Sequence, residues 1–436
     1  MKYMLQKARR RTMLLLVVIF SMLETSAQQS AFVKKAGHQF QLGGKPYYYI
    51  GANYWYGGLL ALQQDPARGK ERLIRELDFL KAHGITNLRV LAGSEGSGKI
   101  SAVDRVEPAL QKEHQIFDAA VLKGLDFLLM EMGKRKMYAV LYLSNNWEWS
   151  GGFLQYLNWN GQLADTTMRR KLSWDEQRDY TSKFYECKGC LQDYRKQLDF
   201  ILRRKNSYTG KKYTEEPAIM AWELANEPRP MRGTAIAAYK AWIAGTAAYI
   251  KSTDPNHLIT IGTEGVIGTE EQPAVFKEIH ADKHIDYLTI HIWPKNWTWF
   301  TGSPTKENLP PVLEKTSAYI KQHEGIALEL NKPLVIEEFG LPRDGHAFEP
   351  AAGTTVRDAY FGNIFSIWAK SRSSGGAIAG CNFWGFGGTS RPIKGQLFWQ
   401  SGNDFSGDPP QEEQGLNSVF DSDTSTWEVI RHILKK

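Results

Sequence analysis

With 436 residues and 42% hydrophobic content the chain can bury a large core, which excludes a disordered or low-complexity protein. Its formal net charge of +7 is largely a property of the first 27 residues, where Lys2, Lys7, Arg9, Arg10 and Arg11 stand against Glu24, and only +3 remains beyond them. No dense basic run follows, which argues against nucleic acid as a partner.

That leader has a basic start, an apolar run from Met13 to Phe20 and a small-residue end at Thr25–Ser26–Ala27. It reads as a secretory signal peptide cleaved after Ala27, too short to span a bilayer, with no Cys near the site for a lipid anchor. The expectation is an exported protein, periplasmic or extracellular, with no membrane segment after cleavage. Residues 28–46 predict a small hairpin turning at Gly43–Gly44, with Phe32, Phe40 and Leu42 as its apolar contacts.

From Tyr47 onward strands and helices alternate. Strands are predicted at 47–53, 86–90, 137–143, 219–224, 258–261, 287–290, 334–338 and 377–383. Helices are predicted at 68–83, 117–134, 190–205, 234–252, 273–280, 309–330, 355–370 and 425–434. Eight such units in strict alternation predict an α/β fold, a (β/α)8 TIM barrel over 28–436 as one domain. A doubly wound open sheet is the competing reading, weakened because no Gly-rich phosphate loop follows the first strand. The stretches 91–116, 144–189, 291–308 and 385–424 are long, and in a barrel such loops build the active face.

Three cysteines are present. Cys187 and Cys190 are too few for a zinc site and lack a thioredoxin-like context, so in an exported chain they read as a local disulfide. Cys381 sits in an apolar run and reads as a buried free thiol.

The chemistry gathers at the strand ends. Ile219–Trp222 is an apolar run that ends in Asn226–Glu227–Pro228, where Pro228 has no N–H to continue a ladder. Alone, such a Glu is as readily a solvated loop residue or a helix cap. A second apolar strand, PLVIEEFG at 333–340, also ends in carboxylates, Glu337 and Glu338. The other strand ends supply Asn53, Tyr54 and Trp55, then Arg89, then Asn145, Asn146 and Trp147, then Glu264, then His291 and Trp293, and last Trp384. Two carboxylates among flat aromatic faces fit glycoside hydrolysis. One must be a protonated acid and the other an ionised nucleophile. Arg89 is expected to keep the nucleophile's pKa low, while burial and the first charge raise the other. No cofactor or metal is called for.

Several stretches carry a resemblance: GANYW at 51–55, NLRV at 87–90, SNNWEWSGG at 144–152, WELANEPR at 222–229, HIWPKNW at 291–297, VIEEFG at 335–340, NFWGFGG at 382–388 and DPPQEEQGLNSVFDSDTST at 408–426. With them the chain resembles glycoside hydrolase family 5, in the clan of (β/α)8 retaining enzymes, and within it the endo-β-1,4-mannanases. The resemblance implies Glu227 as acid/base, Glu338 as nucleophile, and Arg89, Asn226, His291 and Trp384 around them. Trp293 stands where many members carry a Tyr that hydrogen-bonds the nucleophile. An indole N–H can donate there but cannot usefully exchange a proton. Further sugar-contacting candidates are Trp55, Asn146, Trp147 and Trp297. Side-chain alternation along a strand allows only one of Glu337 and Glu338 to face the barrel mouth, so Glu337 is expected in an ion pair behind the sheet. The implied activity is secreted, retaining hydrolysis of internal bonds in β-mannan polysaccharide, with nucleic acid and membrane not expected as partners. A cellulase, an exo-acting mannosidase and a non-catalytic sugar-binding barrel are the alternatives.

Overall fold

The computed structural model describes residues 32–435. The leader expected over 1–27 lies outside the described residues. Eight parallel strands form the barrel: β1 Tyr49–Asn53, β2 Asn87–Leu91, β3 Tyr138–Tyr142, β4 Ile219–Glu223, β5 Leu258–Thr260, β6 Leu288–Ile292, β7 Leu334–Phe339 and β8 Ile378–Phe383. They are near-continuous buried runs, as a parallel sheet covered by helices requires. Their order is β5-β4-β3-β2-β1-β8-β7-β6, with β8 paired to β1 from Gly380 opposite Tyr49 to Phe383 opposite Ala52. That pairing rules out the open doubly wound sheet. The seam between β5 and β6 has no ladder but is stitched by single bonds. Asp286 N donates to Ile259 O (2.8 Å), His291 N to Glu264 O (3.1 Å) and Thr289 Oγ1 to Thr263 O (3.1 Å).

Between the strands run α1 Pro66–Ala82, α2 Ala119–Lys134, α3 Lys188–Leu202, α4 Ile236–Thr253, α5 Pro273–Ala281, α6 Leu309–Leu330 and α7 Thr355–Ser373, and α8 Thr424–Leu434 closes the chain. Local chemistry sets their ends. Asp65 caps α1 by accepting from Ala67 N and Arg68 N, with Pro66 at the first helical position, and Leu73, Leu77 and Leu80 form its buried stripe. Asp118 caps α2 by accepting from Ala120 N. Asn331 ends α6 in the left-handed conformation (φ 51°).

The N-terminal hairpin proves to be a three-stranded antiparallel sheet, Val33–Ala36, Gln39–Leu42 and Lys45–Tyr47. Tyr47 belongs to it rather than to the first barrel strand. The sheet seals the bottom of the barrel, where Val33 and Phe40 pack with Tyr49, Val140, Met220, Tyr287 and Val335. The opposite end stays open to the long loops. Residues 91–117 fold into two small antiparallel hairpins. Residues 148–186 form short helices, one of them Trp174–Thr181, started by a capping box of Ser173 and Glu176. Cys187 and Cys190 are bridged at the start of α3, and Cys381 is a buried free thiol on β8.

The 385–423 loop is held from within. Buried Asp408 accepts from Gly415 N, Asn417 N and Ser418 N (2.9, 2.9 and 3.2 Å). Farther on, Asp423 accepts from Arg343 (2.7 Å), Arg357 (2.8 Å) and Phe420 N (2.9 Å), all deeply buried. Asp423→Ala would leave two buried guanidinium groups without their counter-charge, and is expected to cost about 3–5 kcal/mol of stability. Urea unfolding measures it, and an unchanged midpoint would show that the triad contributes nothing.

Candidate active site

Arg89, on β2 and fully buried, is the hub. It has five N–H groups. Nε and Nη2 clamp Glu223 at the end of β4 (2.8 and 2.5 Å), Nη2 also reaches Asn226 Oδ1 (2.7 Å), Nη1 reaches Asn53 Oδ1 (3.1 Å), and Nη1 makes a short bond to Glu338 Oε1. All five are thereby used. The guanidinium also lies 4.7 Å from the centre of the Tyr142 ring.

Just beyond β4 the backbone carries Asn226 and Glu227 to the mouth. Asn226 is fixed by Arg89 and by Asn145 Oδ1 (3.1 Å). Glu227 has φ 50°, the left-handed region, and its N–H donates to Gly262 O (2.9 Å). Gly262 permits this approach, since a Cβ there would lie 2.2 Å from Ala225 O and from Glu223 Oε1. Glu227 Oε2 accepts from Trp147 Nε1 (2.5 Å), and Oε1 lies 2.8 Å from His291 Nδ1.

Glu338 accepts from Arg89 on Oε1 and from Trp293 Nε1 on Oε2 (3.1 Å). The indole thus fills the position where a tyrosine was the common alternative. One oxygen each of Glu227 and Glu338 and one nitrogen of His291 all lie within 4.8 Å of one another. His291 is fully buried, and burial lowers its pKa to about 4, so it is neutral at pH 7.

Burial raises both Glu227 and Glu338 above the ordinary carboxylate range, and the charge of Glu227 raises Glu338 further. This corrects the expectation that Arg89 holds the nucleophile low. Arg89 does pull Glu338 downward, but the same guanidinium is clamped by Glu223, and desolvation wins. The two carboxyls behave as a pair that ionises in two steps.

Glu337 is the second correction. It is not behind the sheet. Between β6 and β7 the register shifts: Ile290 faces Ile336, and His291 faces Glu338, so Glu337 is an extra residue in the β7 strand. The bulge breaks strict alternation, and Glu337 turns into the barrel, where its Oε2 lies 3.5 Å from His291 Nε2 and 3.7 Å from Arg89 Nε.

Above this layer lies a cavity of about 500 Å³ walled by Trp147, Trp149, Trp174, Trp293, Trp297 and Trp384, with Asn226, Glu227 and Glu338 on its floor. Trp384 N bonds Phe339 O (2.9 Å), and its ring meets Trp293 edge to face at 5.8 Å. Glu264 and Arg229 form an ion pair at one side, and Arg229 lies over the Trp147 and Trp174 rings. Glu412, from the 385–423 loop, closes another side, its pKa raised to about 8 by burial and by the charges of Asp408 and Glu227. A wider hollow of about 1030 Å³ between Pro350–Thr355 and α8 has no Trp, Tyr or Phe in its wall.

Two expected sugar contacts lie elsewhere. Trp55 is buried against Trp149 and Phe405, and its Nε1 donates to Gly407 O (3.1 Å), so it anchors the 385–423 loop. Asn146 is fully buried and not part of the cavity wall; its backbone N–H donates to Asn226 O (2.9 Å), and both polar atoms of its side-chain amide have no partner among the described residues. Conversely, Trp149, Trp174, Arg229, Asn296 and Glu412 line the cavity although the strand-end pattern does not single them out. All but Trp174 lie inside the motif stretches quoted above, which is the available signal.

The family model described as "GH family 5 beta-mannosidase-like" matches residues 30–436. Mannan endo-1,4-beta-mannosidase 7 of Arabidopsis thaliana is 31% identical over 365 residues, 81% of this chain and 77% of that protein. Mannan endo-1,4-beta-mannosidase 1 of Oryza sativa subsp. japonica is 31% identical over 369 residues, 81% of this chain and 78% of its own. The crystal structure of the glycoside hydrolase family 5 mannosidase from Rhizomucor miehei superposes with a TM-score of 0.82 at 31% identity, covering 93% of this chain and 97% of that one.

Proposed function

The chain belongs to the family 5 β-mannosidase-like glycoside hydrolases, and from that premise we propose that it cleaves β-1,4-mannosidic bonds of mannan by retaining double displacement. The observation that carries this reading is the closeness of Glu227 and Glu338, one carboxyl oxygen of each falling within 4.8 Å of the other at the floor of a tryptophan-walled cavity. Retaining pairs stand about 5–5.5 Å apart, whereas inverting pairs need roughly 6.5–9.5 Å to admit a water.

In this mechanism Glu338 attacks the anomeric carbon. Both its oxygens face N–H donors, Arg89 and Trp293, which favour its ionised form. Glu227 protonates the departing oxygen, then as a carboxylate draws a proton from the water that cleaves the mannosyl ester. Asn226, oriented by Arg89, is placed to hold the sugar 2-hydroxyl. The first product is then the β-anomer, which proton NMR early in the reaction reads directly. An initial α-anomer would overturn the mechanism.

Attack on internal bonds is the reading the plant relatives support, and it suits an exported enzyme meeting polymer in the periplasm or medium. Release of terminal mannose is a second reading. It is supported by the small volume of the cavity, by its Glu412 wall and by the likeness to the Rhizomucor miehei mannosidase. Oligosaccharides released from unbranched mannan separate the two: mixed lengths at early times mark internal cleavage, mannose alone marks terminal release. In either case Trp297→Ala is expected to raise KM for long mannan roughly 2–10-fold through a lost stacking face. An unchanged KM would remove Trp297 from the platforms.

A further inference from the structure

Glu337 is a buried carboxyl for which the mechanism above has no use, and its surroundings are unusual for a charge. Its neighbours are all accounted for. Arg89 spends its five N–H groups on Glu223, Asn226, Asn53 and Glu338, so that its Nε lies 3.7 Å from Glu337 Oε2 without donating to it. Glu337 Oε1 is buried and receives no N–H. Its side chain also meets the Glu223 carboxyl, whose two oxygens each already accept an Arg89 N–H, so that His291 Nε2 is the acceptor left for a Glu337 proton. The other titratable groups facing it are the buried phenols of Tyr49 and Tyr287, neither of which donates to it. Oε2 faces His291 Nε2 at 3.5 Å.

His291 has one proton to place, since it is neutral. Its Nδ1 sits between two carboxyl oxygens, 2.8 Å from Glu227 and 3.4 Å from Glu338, while Nε2 faces Glu337 alone. The remaining charges near the ring are those of Arg89 and of Glu264, which is itself paired with Arg229. A lone pair on Nδ1 would point at two acidic groups, one of them ionised, so the proton belongs on Nδ1. Nε2 is then an acceptor, and an ionised Glu337 opposite it would be repelled.

We propose that Glu337 is a neutral carboxylic acid in the working enzyme and a positioning residue: it donates to His291 Nε2 and so fixes the ring as an Nδ1–H donor to Glu227. The proposal rests on Glu227 being the acid/base. Its consequence is that Glu227 keeps its own proton free for the leaving oxygen, and that a donor is already in place when Glu227 becomes a carboxylate. Burial and the charge of Glu223 push the Glu337 pKa upward and outweigh the downward pull of Arg89 and His291, in keeping with a neutral group.

Glu337→Gln supplies an uncharged donor of the same shape, so kcat is expected to stay within about threefold of wild type. Both limbs of the kcat/KM pH profile should also stay in place, because no charge is removed. Glu337→Leu, which has no donor, is expected to lower kcat on the order of 10-fold or more and to displace the basic limb. Displaced limbs in the Gln variant would show that an ionised group had been lost, and would overturn the proposal. Nitrogen-15 NMR of wild-type enzyme labelled at histidine gives a readout that needs no variant to fold. An Nδ1–H tautomer for His291 supports the assignment, and an Nε2–H tautomer overturns it whatever the activity. Wild-type turnover of mannan by Glu227→Gln would instead strike at the underlying mechanism, so the two failures are distinguishable.

Discussion

Glu338→Ala is expected to fold normally and to hydrolyse mannan on the order of 10⁵-fold or more slowly than wild type, since removing a nucleophile alone abolishes most of what the whole catalytic unit contributes. No other carboxylate can take its place. On the proposed mechanism Glu227 serves as the acid, and Glu337 lies against His291 Nε2. Folding should not suffer. Arg89 keeps Glu223, Asn226 and Asn53 as acceptors, and a buried carboxyl repelled by Glu227 and Glu223 is gone. Azide, filling the vacated space with an activated aryl mannoside, should attack from the nucleophile's side and give the α-mannosyl azide. A residual rate near wild type would mean that Glu338 is not the nucleophile. The same loss in Glu337→Ala, with Glu338→Ala active, would move the role one residue back along the bulge.

That bulge shows where the sequence stops being legible. The barrel is readable from eight alternations of apolar strand and amphipathic helix, because those patterns follow from local geometry and burial. Glu227, Asn226, Arg89 and His291 are readable because they end buried strands, and barrel topology brings strand ends together. Glu337 is misplaced by alternation because a one-residue register shift lies in the pairing of two strands 46 residues apart, and nothing in either strand announces it. The pKa of Glu338 escapes for a similar reason. Counting Arg89 as its partner ignores Glu223, which takes two N–H groups of the same cation only once the barrel has closed.

The tryptophans divide along the same line. Trp384, Trp293 and Trp147 follow strands directly and reach the cavity. Trp55 also follows a strand, but the 385–423 loop folds over it and takes its indole N–H at Gly407. Trp174 is 32 residues beyond β3, and Glu412 is 29 beyond β8. Their positions depend on how long loops pack, which for Glu412 is decided by Asp408 gathering three backbone N–H groups. Loop residues of this kind carry no periodicity from which a wall could be inferred.

Glu227→Gln separates the two halves of the catalytic cycle and should do so with a large effect. On mannan the departing sugar oxygen needs a proton, and the amide has none to give, so the rate is expected to fall about 10²–10⁴-fold. On an aryl mannoside whose phenolate leaves unaided, Glu338 should still form the mannosyl ester. The ester then accumulates, because the substituted amide cannot draw a proton from water. Azide needs no such help and should release it as the β-mannosyl azide, from the face opposite Glu338. The pH profile adds a sign. Burial raises the Glu227 pKa, so the wild-type acid stays protonated above the usual carboxylate range. Wild-type kcat/KM on mannan therefore falls as pH rises through that raised value, while the opposite limb, at lower pH, marks the first ionisation of the pair as a whole. In the Gln variant the basic limb should vanish for the aryl mannoside, leaving a plateau toward high pH. A basic limb that survives the substitution, or mannan turnover at the wild-type rate, would show that the proton comes from another group, and Glu264 and Glu412, the remaining acids on the cavity wall, would be the residues to replace next.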